Sequence, residues 1–327
     1  MGGNAIKSAT RLKKQDYLKV EEDVKQFFAL KGVKTAVPLS YSSKEDFGDL
    51  DIIVENTGNM KELIDDVNVY FNVKEFYKNN TIYSFGYDYN GQTFQVDLIF
   101  VTTKDFESSY NYLCYNDLFN LLGRIAHKQG FKLGHDGLKV VVKNGDYLLG
   151  EVVISKNLEI IFDILDVDIN RYREGFETFE DIFDFVIASK WFDSAMFKLE
   201  NLNNINRVRN AKRKLYMQFI EYTKDIPEKN LKIDKEENVR NILQLFPNAR
   251  EDLAILKYKL KVQQETALKF NGDIVKELTG RENKELGELM KVIKTDYNVG
   301  KLHSMTESEI KEMILEYNRN LKGNKGN

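Results

Sequence analysis

Residues 47–55 read FGDLDIIVE, an apolar strand that opens with two aspartates separated by a single leucine. Successive side chains of a strand alternate faces, so Asp49 and Asp51 project to one side while Leu50 and Ile52 project to the other. The two carboxylates share one small volume, and such a pair resists joint ionisation unless a cation or a proton sits between them. A positive charge is expected there.

Outward from this strand the pattern is that of a compact α/β unit with a mixed sheet. Residues 15–32, QDYLKVEEDVKQFFALKG, place apolar side chains at helical spacing and stop at Gly32. Residues 33–40, VKTAVPLS, read as a strand, and residues 42–48, SSKEDFG, as a polar loop. Residues 59–71 read as a second amphipathic helix. Residues 81–89 and 92–101 are two strands joined at Asn90-Gly91, a dipeptide that supplies the positive backbone angles of a tight hairpin.

That hairpin carries the third acid. Within FQVDLIFV, Asp97 is the charged residue of an otherwise apolar strand, and a buried charge must be paired, hydrogen-bonded or metal-bound. With this strand beside DLDIIVE, Asp49, Asp51 and Asp97 converge on two divalent cations of the oxygen-preferring kind, magnesium first and manganese as its substitute. Two such ions clamp a nucleotide triphosphate, one activating an attacking hydroxyl and the other stabilising the leaving pyrophosphate. The plain alternative makes Asp49 a turn residue and Asp97 the partner of a lysine.

The combination of LSYSSKEDFGDLDIIV with FQVDLIFV resembles the nucleotidyltransferase superfamily related to DNA polymerase beta. Its pattern is Gly-Ser, a short loop, Asp-x-Asp on a strand and a third acid on a neighbouring strand. The resemblance covers about the first third of the chain, and Leu39-Ser40 stands where the family has Gly-Ser. It implies that Asp49 and Asp51 bind both metal ions, that Asp97 completes the site and helps to activate the hydroxyl, and that Ser40 and Gly48 meet the nucleotide.

A second set of nucleotide-holding candidates lies downstream. Arg124, His127 and Lys128 fall at spacings of three and four on one helix face, where Arg124 and Lys128 would hold the triphosphate. An ordinary solvated face is the other reading of the same spacing. Residues 134–137, GHDG, form a turn into a hairpin over residues 138–155 closed by Asn144-Gly145.

From Asn157 onward the pattern turns helical, and the aromatics of residues 174–197 read as core. Pro227 and Pro247 lie in a joint between helical elements. Residues 270–294 resemble the C-terminal helical motif of tRNA nucleotidyltransferases and bacterial poly(A) polymerases, with Gly272-Asp273, Gly280 and Gly287 at matching places. The chain has neither the Arg-Arg-Asp nor the Glu-Asp-x-x-Arg motif of the CCA-adding enzymes, so the nucleotide added stays open. Residues 207–214, RVRNAKRK, are expected on one helix with Leu215 and Phe219 facing inward, and Arg207, Arg209, Lys212, Arg213 and Lys214 are candidates to grip RNA.

Charge and composition agree with this division of labour. The net charge of −3 splits into −9 over residues 1–200 and +6 over residues 201–327. A carboxylate-rich part suits metal and a cationic part suits a polyanion, although two ordinary solvated surfaces would look the same. One cysteine, Cys114, excludes a disulfide framework and a thiolate metal cluster and points to a reducing cytoplasm. No run of about 18 apolar residues occurs, so no membrane span is expected. The MGGN start lacks a secretory apolar region, and Ile6 stands where a myristoylation signal has Ser or Thr.

The reading is an α+β protein, a small mixed-sheet nucleotidyltransferase domain followed by a mostly helical C-terminal region. Its expected parts are a catalytic domain at 1–106, a helical and hairpin nucleotide-binding region at 107–200 and a helical RNA-binding region at 201–327. The expected activity is metal-dependent transfer of a nucleoside monophosphate from an NTP, ATP among them, to a hydroxyl, foremost an RNA 3′ end. The alternatives are an enzyme that modifies a protein or a small molecule, as toxin-like or antibiotic-modifying relatives do, and a non-catalytic RNA-binding protein. The oligomeric state is not legible.

Overall fold

The structure is a computed structural model and describes residues 5–323, so the MGGN start lies outside the described residues. Among the described residues the fold is α+β, with a mixed sheet in the N-terminal half and helices dominating the C-terminal region. The chain forms two compact units, residues 1–140 with 153–246 and residues 141–152 with 247–327.

The first unit begins with β1 (Leu12–Lys13), α1 (Lys14–Leu30), β2 (Thr35–Ala36), β3 (Asp46–Phe47), β4 (Asp49–Glu55) and α2 (Met60–Tyr70). It continues with β5 (Phe76–Asn79), β6 (Ile82–Tyr89) and β7 (Gln92–Val101). Strands β2, β4, β7, β6 and β5 form one sheet in that order, with β4 and β7 parallel and the other pairs antiparallel. The β6–β7 hairpin turns at Asn90 (φ 52°) and Gly91 (φ 78°), as expected of Asn-Gly. The strand expected over residues 33–40 shrinks to Thr35–Ala36, since Pro38 has no N–H to give a ladder.

One face of this sheet packs into an apolar core. Val20, Val24, Phe27 and Phe28 recur on α1 at helical spacing and pack with Leu63 and Val67 of α2 on Leu50, Ile52, Val96, Leu98, Tyr83 and Phe85. Each fully buried side chain of this size stabilises the fold by about 1.5–3 kcal/mol relative to an exposed one. The opposite face carries the acids. Its lower end is closed where Phe106 of α3 (Phe106–Leu113) packs with Ile53 and Val101.

The chain continues through α4 (Leu118–Lys128), β8 (Lys132–Gly134), β9 (Gly137–Asn144), β10 (Tyr147–Ser155), α5 (Leu158–Leu165), α6 (Ile169–Glu174) and α7 (Phe179–Ile187). Three helices, α8 (Asn204–Asn210), α9 (Lys214–Tyr222) and α10 (Lys235–Leu243), complete the first unit, whereas residues 141–152 of the β9–β10 hairpin belong to the second. The aromatics of residues 174–197 are mostly core, as expected: Phe176, Phe183, Phe185, Phe192 and Phe197 are buried, and Phe179 and Trp191 are half-buried.

The two compact units part between Phe246 and Pro247, with residues 141–152 in the second. The reason is aromatic packing. Phe219 of α9 stands 5.3 Å from Phe183, 6.1 Å from Phe192 and 4.7 Å from Phe197, which ties residues 201–246 into the first unit.

The second unit holds α11 (Pro247–Lys269), α12 (Gly272–Thr279), α13 (Asn283–Asp296), α14 (Val299–Ser304) and α15 (Glu307–Gly323) around Val275, Leu289, Ile293, Leu302, Ile310 and Ile314. Asn271 caps α12, and Gly280 ends it at φ 67°, a left-handed position that glycine fills without strain. Gly287 sits inside α13 rather than before a helix, so only part of the expected glycine pattern marks helix ends. No helix among the described residues is long and apolar enough to cross a membrane.

Candidate metal and nucleotide site

Parallel pairing of β4 with β7 puts Asp51 in register with Asp97 and Asp49 in register with Gln95. Register partners share a face, so the three acids stand together, each offering a carboxylate oxygen within 4.8 Å of the others. The convergence expected from sequence is present. Leu50, Ile52, Val96 and Leu98 alternate with these residues and are fully buried in the core, which locks the register: a slip of one residue would drive the acids inward.

The acids are crowded and part-buried. Burial, with Asp49 and Asp97 beside it, raises the pKa of Asp51 well above the ordinary carboxylate value. Burial also raises Asp97, against hydrogen bonds from Ser84 and Gln95. The Gln95 amide is fixed by its surroundings: its Oε1 accepts from the N–H groups of Ala5 (2.9 Å) and Ile6 (3.0 Å), so its Nε2 donates to both oxygens of Asp97 at 2.9 Å. The plain alternative, in which a lysine pairs with Asp97, is not what the side chain meets.

The cation beside the acids comes from the loop. Lys44 lies with its Nζ 4.3 Å from the centre of the Phe47 ring and 3.5 Å from Ser40 Oγ. Burial lowers its pKa, and the charges of Asp49 and Asp51 oppose that shift. Tyr17 closes the same end of the strand, stacked on Phe47 at 3.9 Å, and burial raises its phenol, helped by the nearby carboxylates.

The loop bearing Ser40 and Lys44 is tied at both ends. Leu39 accepts from the Tyr115 N–H (2.6 Å) and donates to Cys114 Sγ (3.3 Å). The N–H groups of Ser42 and Ser43 donate to the carbonyls of Phe176 (2.9 Å) and Glu177 (3.0 Å), and Lys14 Nζ reaches the Ser42 carbonyl at 2.7 Å. Gly48 joins β3 to β4 directly before Asp49. Sequence reasoning missed Lys44, Gln95 and Ser84. Gln95 was within reach, since it lies two residues before Asp97 on the same face.

Arg124 and Lys128 have other neighbours. The Arg124 Nε and Nη2 donate to the Met196 carbonyl at 3.3 and 3.1 Å, a structural tie between α4 and the residues after α7. Burial lowers the pKa of Lys235 at the start of α10, and the charges of Lys128 and Arg124 lower it further, so the three cations are grouped. Gly130 is what lets α10 approach: a Cβ there would meet Val239 at 3.0 Å and Lys235 at 3.1 Å.

The RVRNAKRK segment is two helices, not one. It breaks at Ala211–Arg213, where Asn210 is buried and accepts from Asn120 Nδ2 at 3.3 Å, and Arg213 turns extended (φ −94°, ψ 113°). Leu215 and Phe219 face inward as expected. Arg207, Arg209, Lys212 and Lys214 are exposed, whereas Arg213 is half-buried in an ion pair with Asp117. Residues 201–246 hold 10 Lys+Arg against 6 Asp+Glu, so most of the cationic excess belongs to the unit that carries the acids.

Three carboxylates without sulfur or imidazole form a donor set for a hard, oxygen-preferring cation, and the raised pKa values are those of a cluster that a divalent ion would neutralise. The residues fit such an ion. No protein-family model matches the chain, and no curated protein matches it.

Proposed function

We propose that the protein is a metal-dependent nucleotidyltransferase that moves a nucleoside monophosphate from an NTP to a hydroxyl, with an RNA 3′ end as the acceptor. The observation that carries this reading is the acid row: Asp51 opposite Asp97, Asp49 beside them, and ligand oxygens within 4.8 Å. Asp49, Asp51 and Asp97 would hold Mg2+, which when bound supplies charge neutralisation of the triphosphate and activation of the hydroxyl.

The chain's own residues then divide the work. Lys44 and the Ser40 hydroxyl, 3.5 Å apart on one flank of the acids, receive the terminal phosphates. Asp97, oriented by Gln95 and Ser84, faces the acceptor hydroxyl and takes its proton. The hydroxyl oxygen bonds to the α-phosphorus, the bond from that phosphorus to the β-phosphate oxygen breaks, and pyrophosphate leaves with the electron pair. The exposed Arg207, Arg209, Lys212 and Lys214 offer contacts to RNA backbone. A buried free thiol at Cys114 suits a reducing cytoplasm.

The test is incubation with each α-labelled NTP and total RNA in Mg2+. Label entering RNA with wild type and not with Asp51→Asn supports the reading. Label entering protein, or no acceptor at all, overturns the choice of RNA.

A further inference from the structure

The acid row does not end at Asp97. Asp97 pairs with Ser84 of β6, and Ser84 pairs with Tyr77 of the edge strand β5, so Asp51, Asp97, Ser84 and Tyr77 form one line across four strands on a single face. The neighbouring line is Ile53, Ile99, Ile82 and Asn79. Beside the acids this face is covered on two sides. Ile6 lies over Gly86 at 3.4 Å from where a Cβ would stand, and α3 closes the end at Ile53. Between them Tyr77 and Ile82 stay accessible, 55% and 38% exposed, while Ser84, between Tyr77 and Asp97, is buried in the floor.

The two flanks of the acids differ in chemistry. On one side stand Ser40 and Lys44, a hydroxyl and an ammonium suited to phosphate. On the other, Tyr77, Asn79, Ile82, Ser84 and Gly86 carry no charge, the outermost is an aromatic ring, and the carboxylate at the margin, Glu75, is occupied by the Lys7 N–H and the Ser8 hydroxyl. A phosphate has no partner there, whereas the face of a base does. Adjacent strands lie roughly 4.8 Å apart, which puts the Tyr77 backbone about 10 Å from that of Asp97, within the reach of one nucleotide and a tyrosine side chain.

We infer that Tyr77 is the stacking platform for the terminal base of the acceptor, placing that nucleotide's hydroxyl at Asp97 while the NTP enters from the Lys44 flank. The inference rests on the nucleotidyltransferase reading of the acids and adds to it that the acceptor is a nucleic acid gripped through its last base. Tyr77 is a positioning residue: it touches the base and not the reacting atoms. Sequence tolerance is expected, since every base offers a π-face.

The test uses the full chain and a 12-nucleotide single-stranded RNA with 2-aminopurine as its 3′-terminal base, whose fluorescence is quenched by stacking. Wild type is expected to bind the probe and quench it, and Tyr77→Phe to keep both. Tyr77→Ala should lose the quenching and weaken the RNA dissociation constant about tenfold, with KM for the NTP unchanged. The same RNA with 2-aminopurine at an internal position should show little change on binding. Wild-type quenching retained in Tyr77→Ala overturns the inference, as does a wild-type complex in which the terminal base is unquenched, or no binding of the RNA. The quenching pattern without transfer by wild type would instead leave the platform standing and remove the nucleotidyltransferase reading.

Discussion

Asp51 and Asp97, 46 positions apart in the chain, are direct register partners across the parallel junction of β4 and β7. A fold that selected only for stability would not place two part-buried carboxylates there, with Asp49 as a third. The pairing costs stability in the ion-free protein, so removing one charge should recover some of it. Asp51→Asn is expected to raise the thermal midpoint of the ion-free protein, by about 1 kcal/mol of stability, while transfer is lost. Thermal unfolding in a chelator checks the first effect, and an unchanged or lowered midpoint would mean that the carboxylates are compensated already.

Lys44 faces the same acids from the loop side, so its contribution depends on their charge. Lys44→Met should raise the KM for NTP about tenfold with a smaller effect on RNA. The stability gained by Asp51→Asn should be larger in a Lys44→Met background than in wild type, because Lys44 then no longer offsets the acids. Additive effects would show that Lys44 does not sense the acids.

Asp193 supplies a pH test away from the site. It is buried, which alone would raise its pKa, but the N–H groups of Leu231, Ala195 and Lys229 and the charge of Lys128 pull it below the ordinary carboxylate value of 3.8. A folded-state value below the unfolded one gives stability that is fully present above 3.8 and is lost as pH falls below it. Asp193→Ala should therefore cost about 2 kcal/mol at pH 7, through three unpaired donors, and less at pH 3. Chemical denaturation at the two pH values checks this, and an equal loss at both would assign the effect to packing.

The basic segment separates into two roles. Changing Arg207, Arg209 and Lys212 to Gln should leave stability unchanged and lower the slope of log affinity against log salt for single-stranded RNA by about 2, roughly 0.7 for each phosphate that is no longer neutralised. Arg213→Gln should instead destabilise the protein, because it leaves Asp117 half-buried without its partner. An unchanged salt slope in the triple variant would remove this segment from the RNA interface.

Side-chain alternation made the acids legible, because a strand of period two leaves little choice of face once Leu50, Ile52, Val96 and Leu98 are assigned to a core. The Asn90-Gly91 hairpin was legible for the same local reason. Lys44 was not, since its placement depends on a loop tied to Tyr115, Phe176 and Glu177, residues far along the chain. Strand β5 was also hidden: all four of its residues, FYKN, are exposed, so no apolar alternation announces it. The break inside RVRNAKRK and the late boundary at Pro247 are tertiary choices, set by Asn210 and by the aromatic ring cluster around Phe219.

On the proposed reading Asp49, Asp51 and Asp97 together hold divalent cations for nucleotide chemistry. Calorimetric titration of Mn2+ into the protein with a non-hydrolysable NTP measures this without reference to acceptor or turnover. Two ions bound per chain are expected of wild type, and loss of both in Asp49→Asn with Asp51→Asn. Binding of the same ions by that double variant, or none by wild type, would contradict it.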